Sequence, residues 1–477
     1  MTSAEVEHPS VAERKARGKR ARDVAARTSH AGWTPAAGRP DPVALLEEQD
    51  VTREQDLVPV RHGRMMVSPF TFYRGAAKIM AADLKDTPRS GLTAQLCGDA
   101  HLSNFGMFAS PERQLLFDVN DFDETLPGPF EYDVERMAAS FTIAARNNGF
   151  TNADARTATL ASVQAYREAM AGFARMGTMD IWYAHLSADE LNTTLENLAR
   201  TGTGKQRKVA KKGAKDARRI AAKATTRDSL QALSKLAESV DGRYRIRSQP
   251  PIVIPARDIP ASAGLTPDHL RHVVHEALRA YRATLQYDRR LLLERFEIID
   301  IARKVVGVGS VGTRAFIVLL QGRDERDPLF LQIKEATASV LEDHLPKSRF
   351  KQHGERVVQG QRMMQAASDI YLGWTKGAED DRYYYWRQLR DMKGSVEIES
   401  MSPANLLLYA HVCGWTLARA HARSGDPVAI ARYLGKSDAF DRSITDFSQR
   451  YADQNEQDYQ AFVDAIHAGR LEATEGV

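Results

Sequence analysis

The feature that most constrains this fold is a change of texture at Ile298. Upstream, helical patterns dominate; from there IIDIARKVVGVGSVGTRAFIVLLQGRDERDPLFLQIKEA reads as three successive strands, Ile301–Val308, Thr313–Leu320 and Leu329–Lys334. β-Branched and apolar residues fill them, and glycine-rich or charged turns separate them. Gly307, Gly309 and Gly312 give the first turn the spacing G-x-G-x-x-G. A dinucleotide site needs a helix directly after such a loop, whereas TRAFIVLLQG is a strand. The glycines therefore belong to a hairpin. There the bare backbone comes close to a phosphate and turns its N–H groups toward it, with Ser310 beside them.

The third strand ends in LQIK, which sets Lys334 22 residues beyond Gly312. Burying an unpaired ammonium is costly, so a lysine at the end of an apolar strand calls for anionic partners. Strand, glycine loop, strand and lysine together resemble the nucleotide hairpin and V-A-I-K strand of protein kinases. On that resemblance Gly307, Gly309, Ser310 and Gly312 cover the phosphates of ATP and Lys334 holds them. A glutamate on the following helix then positions the lysine. Glu355, in HGERVVQGQRMMQ, is the candidate, with Glu342 and Glu335 as rivals. The connection after Tyr383–Leu389, near Arg390–Gly394, is expected to face the base.

About two hundred residues earlier lies the other chemistry-bearing stretch, CGDAHLSNFGMFASPERQLLFDVNDFDE at 97–124. Asp99 is followed by Asn104 and then by an acidic cluster, Asp118, Asp121, Asp123 and Glu124. Phosphoryl transfer uses this inventory: a base-like Asp orients a hydroxyl, while an Asn and a second Asp hold magnesium at the phosphates. GDAHLSN resembles the H-G-D-x-x-x-x-N catalytic loop of the aminoglycoside phosphotransferase and choline kinase group, with Cys97 where that group has His. FDVNDFDE resembles its metal-binding I-D-F-D segment, and EYDVERMAAS the helix start that follows. The resemblance implies that Asp99 is the catalytic base, and that Asn104 and Asp121 are magnesium ligands. Asp118 is second choice for the metal, and Asp133 caps its helix and ties down the loop.

Two other chemistries fit the same residues. Asp99, His101, Asp118, Asp121 and Asp123 could ligate the metal of a phosphoesterase, although the chain has neither G-N-H-[DE] nor a later His-x-His. The pocket could also serve a regulator that binds nucleotide without turnover. His421 and Asp426, in AHARSGD, are read as a helix end with satisfied polar groups, and Trp374, Trp386 and Trp415 as core or rim aromatics.

If both motif sets form one site, their order is inverted relative to a kinase. The fold expected is therefore α+β, a kinase-like two-lobed architecture with circularly permuted connectivity and a mostly helical large lobe. The helix 404–423 or the helix 70–84 would lead into the catalytic loop. The parts are a basic, loosely ordered arm (1–40), the catalytic-loop half of the helical lobe (41–199) and a basic linker (200–230). A helical segment (231–297), the sheet lobe (298–395) and C-terminal helices (396–477) complete the chain. Most of this length, from Arg39 to Tyr459, also resembles a bacterial family described only as domain of unknown function 2252. DPVALLEEQ, RMMVSPFTFYRGAA, CGDAHLSNFG, VGVGSVGTR and YADQNEQDY carry that resemblance. It implies the kinase-like superfamily and supplies no acceptor, so the expected partners are a nucleotide and an unknown hydroxyl compound.

Composition sets the remaining bounds. No run approaches the roughly 18 apolar residues of a membrane span; Leu406–Ala420 comes nearest, interrupted by His411 and Arg419. The start lacks an apolar signal region, and two cysteines, Cys97 and Cys413, offer no disulfide framework. A cytoplasmic protein is expected. Net charge is only +4, yet basic runs stand at 14–27 and 200–223. Neither run has interleaved aromatics for stacking on bases, so both are read as solvated surface, with nucleic acid left open.

Overall fold

A computed structural model describes residues 7–201, 204–241, 243–259, 267–305, 307–378, 381–389 and 391–476. The protein is α+β, with helices outweighing strands. Its main sheet has six strands in the spatial order Gly373–Lys376, Tyr383–Gln388, Pro328–Ala336, Ala315–Gln321, Glu297–Lys304 and Val253–Pro255. Every neighbouring pair is antiparallel. The three strands expected after Ile298 are present, the first ending at Lys304 rather than Val308; Val306 lies outside the described residues.

Alternation along the central strand decides what each face meets. Leu329, Leu331 and Ile333 pack with Val318, Leu320, Trp386 and Tyr281, the last from the Pro267–Arg282 helix. The other face starts with Phe330, which joins Ile317, Leu319 and the Ser229–Leu236 helix. It continues through Gln332 to Lys334. Register places Tyr385 opposite Lys334 and Arg387 opposite Gln332, so these four side chains share that face. Trp386 is a core residue, its ring stacked 4.6 Å from Tyr281.

The largest core is helical. Phe130–Asn147, Asn152–Phe173, Pro403–Ala422, Pro427–Leu434 and Ala439–His467 bury their apolar faces against one another. Two short sheets lie against this core. Thr93–Leu96 pairs with Leu126–Pro129, and Phe105–Ala109 lies between Leu115–Val119 and Gly394–Ser395. No helix among the described residues is long and apolar enough to cross a membrane.

Several expectations are corrected. The 1–40 arm is not loose where it is described: Ser10 and Glu13 form a capping box for a Val11–Val24 helix. Its basic residues are used as caps, Arg22 donating to Tyr433 O at 2.9 Å and Arg27 to Leu434 O at 2.9 Å. They satisfy carbonyls that the end of the Pro427–Leu434 helix leaves without partners. The 70–84 helix breaks at Ala76 into Pro69–Gly75 and Ala77–Leu84, where the Gly75 carbonyl accepts from Arg61 at 3.0 Å. The helix that follows the third strand and carries Glu355 is His353–Met364. The basic 200–223 run, in contrast, keeps to its reading as a solvated, partly helical linker, with a largely exposed helix at Gly204–Thr225.

Close approach of the helices Pro403–Ala422 and Asn152–Phe173 depends on Gly414, where a Cβ would run into the Ser162 carbonyl. Gly172, on the second of these helices, has open space around it. Helix propensity alone favours alanine at either position by about 1 kcal/mol, while overpacking a core costs about 1–3 kcal/mol. Thermal or urea denaturation is therefore expected to show Gly414→Ala destabilised by about 1–3 kcal/mol and Gly172→Ala unchanged or stabilised.

Candidate active site

The strand Thr93–Leu96 ends in a turn at Gly98, whose φ of +83° suits glycine. A side chain there would also strike the Glu124 backbone. Asp133 fixes this turn: its carboxylate accepts from the N–H of Cys97 at 2.8 Å and of Gly98 at 3.0 Å. Behind it, buried His421 lies 3.1 Å from Asp133 through Nε2 and 2.9 Å from the Tyr166 hydroxyl through Nδ1. Asp133 thus ties down the loop as expected, but it does not cap its helix, which starts earlier, at Phe130. Asp426 is the N-cap of Pro427–Leu434, in line with a polar, satisfied helix end.

The turn delivers Asp99 to a cavity of about 450 Å³ that Asn104, Asp121, Asp123, Gly307, Gly309, Ser310 and Lys334 also line. Arg136 holds one Asp99 oxygen through Nε at 2.8 Å and Nη2 at 2.7 Å, while its own guanidinium lies 3.8 Å from the centre of the Tyr73 ring. The second Asp99 oxygen lies 3.6 Å from His101 Nε2. His101 Nδ1 accepts from Ser103 N–H, so the ring proton resides on Nε2. Burial, Arg74 and Arg136 hold that imidazole neutral, well below its ordinary pKa. Burial pushes the Asp99 carboxyl up, against Arg136, which draws it down.

Asn104 donates its amide to Asp99 O at 2.8 Å, leaving its side-chain oxygen unused by that bond. Its backbone oxygen receives Asn120 N–H at 2.8 Å, which fastens the loop bearing Asp121 and Asp123 beside it. Asp118 is elsewhere. It is buried on the strand Leu115–Val119, paired with Arg419 and accepting from Ala366 N–H at 2.9 Å. Asp118 is outside the cavity lining and is corrected from metal ligand to core ion pair.

The glycine loop meets the acidic loop directly. Arg53, from the helical part, donates to the carbonyls of Gly309 and Val311, and Gly312 packs on its stem at φ +87°. Ser310 Oγ donates to Asp123 at 3.1 Å. Lys334 Nζ is 2.6 Å from the same carboxylate oxygen and 4.0 Å from Asp121, and the Tyr385 hydroxyl donates to the other Asp123 oxygen at 2.8 Å. Burial disfavours the charges of Lys334 and Asp123, yet Asp121 and Asp123 keep the ammonium protonated and Lys334 holds the Asp123 carboxyl down at about 2. Burial and Asp123 push the Asp121 carboxyl up.

No bond joins Lys334 to the expected Glu355, nor to Glu335 or Glu342. Glu335 faces the other way on its strand and pairs with Arg314 and Arg382, and Glu342 lies 3.7 Å from Arg356. Asp123 holds Lys334 in place of Glu355, and the neighbouring Arg356 donates to the carbonyls of Asp123, Thr125 and Thr337, tying the His353–Met364 helix to the acidic loop. Of the connection expected to face the base, Arg390 lies outside the described residues, and Asp391–Gly394 includes the cavity-lining Lys393. Arg136, Tyr385 and Arg387 were missed. Strand alternation puts Tyr385 and Arg387 on one face, but only the register reveals that the face is that of Lys334.

Asn104 and Asp121 offer hard oxygen ligands on one side of the cavity. They fit magnesium, which takes one or two protein oxygens and completes its shell with phosphate and water. Bound charge there would also relieve the crowding of Asp121 by Asp123. A phosphoesterase cluster is a different matter: among the described residues no three His, Cys, Asp or Glu side chains are grouped to hold a metal.

A family model described as "Uncharacterized protein conserved in bacteria (DUF2252)" matches residues 53–465, and the chain belongs to that family. No curated protein and no solved structure matches it.

The two aspartates are separable by stability. Asp118→Asn breaks a buried pair and is expected to cost about 3–5 kcal/mol in urea denaturation. Asp121→Asn, which removes a charge crowded by Asp123, is expected to leave stability unchanged or raised. Equal losses for both would contradict these placements.

Proposed function

We propose that this member of the DUF2252 family is a magnesium-dependent phosphotransferase that moves the γ-phosphoryl group of ATP to a hydroxyl, on a kinase-like two-lobed fold of permuted connectivity. The observation that carries it is the meeting of two distant motifs. Asp99, Asn104 and Asp121 share a cavity with the glycine loop and Lys334, and Lys334 lies 4.0 Å from Asp121. The permuted order is supported by the C-terminal helix Pro403–Ala422. Tyr409 on it donates to Leu102 O at 2.9 Å, and Ser424 just beyond it accepts from Gln95 N–H at 2.9 Å. A small-molecule acceptor is favoured by analogy with the aminoglycoside and choline group.

The chemistry assigns each residue one task. Asp99, anchored through one oxygen by Arg136, orients the acceptor hydroxyl with the other and takes its proton as the new O–P bond forms. The bond between the β-phosphate oxygen and the γ-phosphorus breaks, and ADP leaves with the electron pair. Lys334 and the glycine loop would lie against the phosphates and offset their charge. Asn104 and Asp121 would hold magnesium, which neutralises phosphate charge when bound. His101, neutral and beside Asp99, adds a donor without adding charge.

The test is magnesium-dependent ATP binding and ADP release across a panel of hydroxyl acceptors. Asp99→Asn is expected to keep nucleotide affinity and lose about 10²–10⁴-fold in turnover. Lys334→Ala is expected to weaken transfer at least as much. Hydrolysis of phosphate esters without ATP and indifferent to Lys334 would overturn the assignment, and nucleotide binding without turnover on any acceptor would favour a regulator.

A further inference from the structure

The cavity carries positive charge that phosphoryl transfer at Lys334 does not use. Lys334 is matched by Asp123 and Asp121. Next along the same sheet face, the hydrogen bonds of Arg387 among the described residues go to neutral groups, Gln332 Oε1 at 3.1 Å and Asn120 O at 3.4 Å, with the Tyr385 ring 5.6 Å away and the charges of Asp121, Asp123 and Asp369 acting on it from further off. Lys393 lines the cavity with it. Among the described residues the Lys393 ammonium has no hydrogen-bond or ion-pair partner.

Lys393 is nevertheless held firmly in place. Arg227 donates to its carbonyl at 2.8 Å, and Met392 N–H donates to Arg227 O at 2.8 Å. Met392 is left-handed, at φ +52°, and Gly394 is pinned by strand pairing to Met107. Left-handed backbone at a residue with a Cβ persists only where the surroundings enforce it, and it gathers at ligand sites. Burial and the charge of Arg387 pull the Lys393 ammonium down to about 7, against the opposing pull of Asp369 and Asp121. An anion between Arg387 and Lys393 would remove that penalty.

We propose that Arg387 and Lys393 form an oxyanion subsite, separate from Lys334, that takes a phosphate group of the ligand. The guanidinium offers Nη2, and the ammonium three donors, a set suited to phosphate oxygens. Taken with the phosphotransferase assignment, on which this extension rests, the subsite would take a phosphate group that Lys334 and the glycine loop do not hold. The anion site itself requires no turnover.

Isothermal titration with inorganic pyrophosphate, free of divalent metal, tests the subsite on the full chain. Lys393→Gln is expected to lose at least about tenfold in affinity, the worth of one charge-assisted hydrogen bond. Among the described residues the Lys393 ammonium has no partner whose loss would unfold the protein, whereas Arg387→Gln also frees Gln332. Lys334→Ala is expected to retain the Lys393-dependent binding. Equal affinity in wild type and Lys393→Gln would overturn the subsite, as would failure of the wild type to bind pyrophosphate. Lys393-dependent binding in a protein that transfers no phosphate supports the subsite and overturns only the catalytic assignment.

Discussion

The contact between Lys334 and Asp123, 2.6 Å long, joins the sheet to the acidic loop. A lysine buried on a sheet face is tolerated only with its charge matched, and these carboxylates supply the match. Ser310 and Tyr385 converge on the same aspartate, so the glycine loop, two strands and the acidic loop meet at one carboxylate. Removing either charge would strand the other, a loss that buried pairs feel strongly. The cavity is the space this junction leaves open toward Asp99 and Asn104.

Around the junction, polar side chains hold backbone in place. Asp133 and His421 fix the turn before Asp99, Arg53 fixes the glycine loop, and Arg356 fixes the far end of the acidic loop. Each reaches across a long sequence separation, so the site is assembled by the whole fold. Catalytic groups gain from such support, because geometry must be set before the reaction begins.

Much of this was legible in the sequence because it depends on local periodicity and turn chemistry. The strands at 315–321 and 328–336, the glycine turn before the first of them and the place of Lys334 near the end of an apolar strand follow from residues close together. The counter-ion of Lys334 was not legible: Glu355 satisfied a kinase-like spacing, but the choice among acids depends on which loop crosses the sheet face. Asp118 failed for a similar reason, since strand alternation buries it against Arg419, a residue about three hundred positions away. The basic arm at 14–27 looked solvated because its use as a helix cap is a tertiary contact.

Whether the two motifs serve one ligand is tested most directly by a double-mutant cycle on magnesium-ATP affinity with Asp121→Asn and Lys334→Ala. Groups acting on the same phosphates are coupled, and a non-additivity of about 0.5–3 kcal/mol is expected. Losses that add within about 0.5 kcal/mol, or a wild type that binds no nucleotide, would contradict a single site.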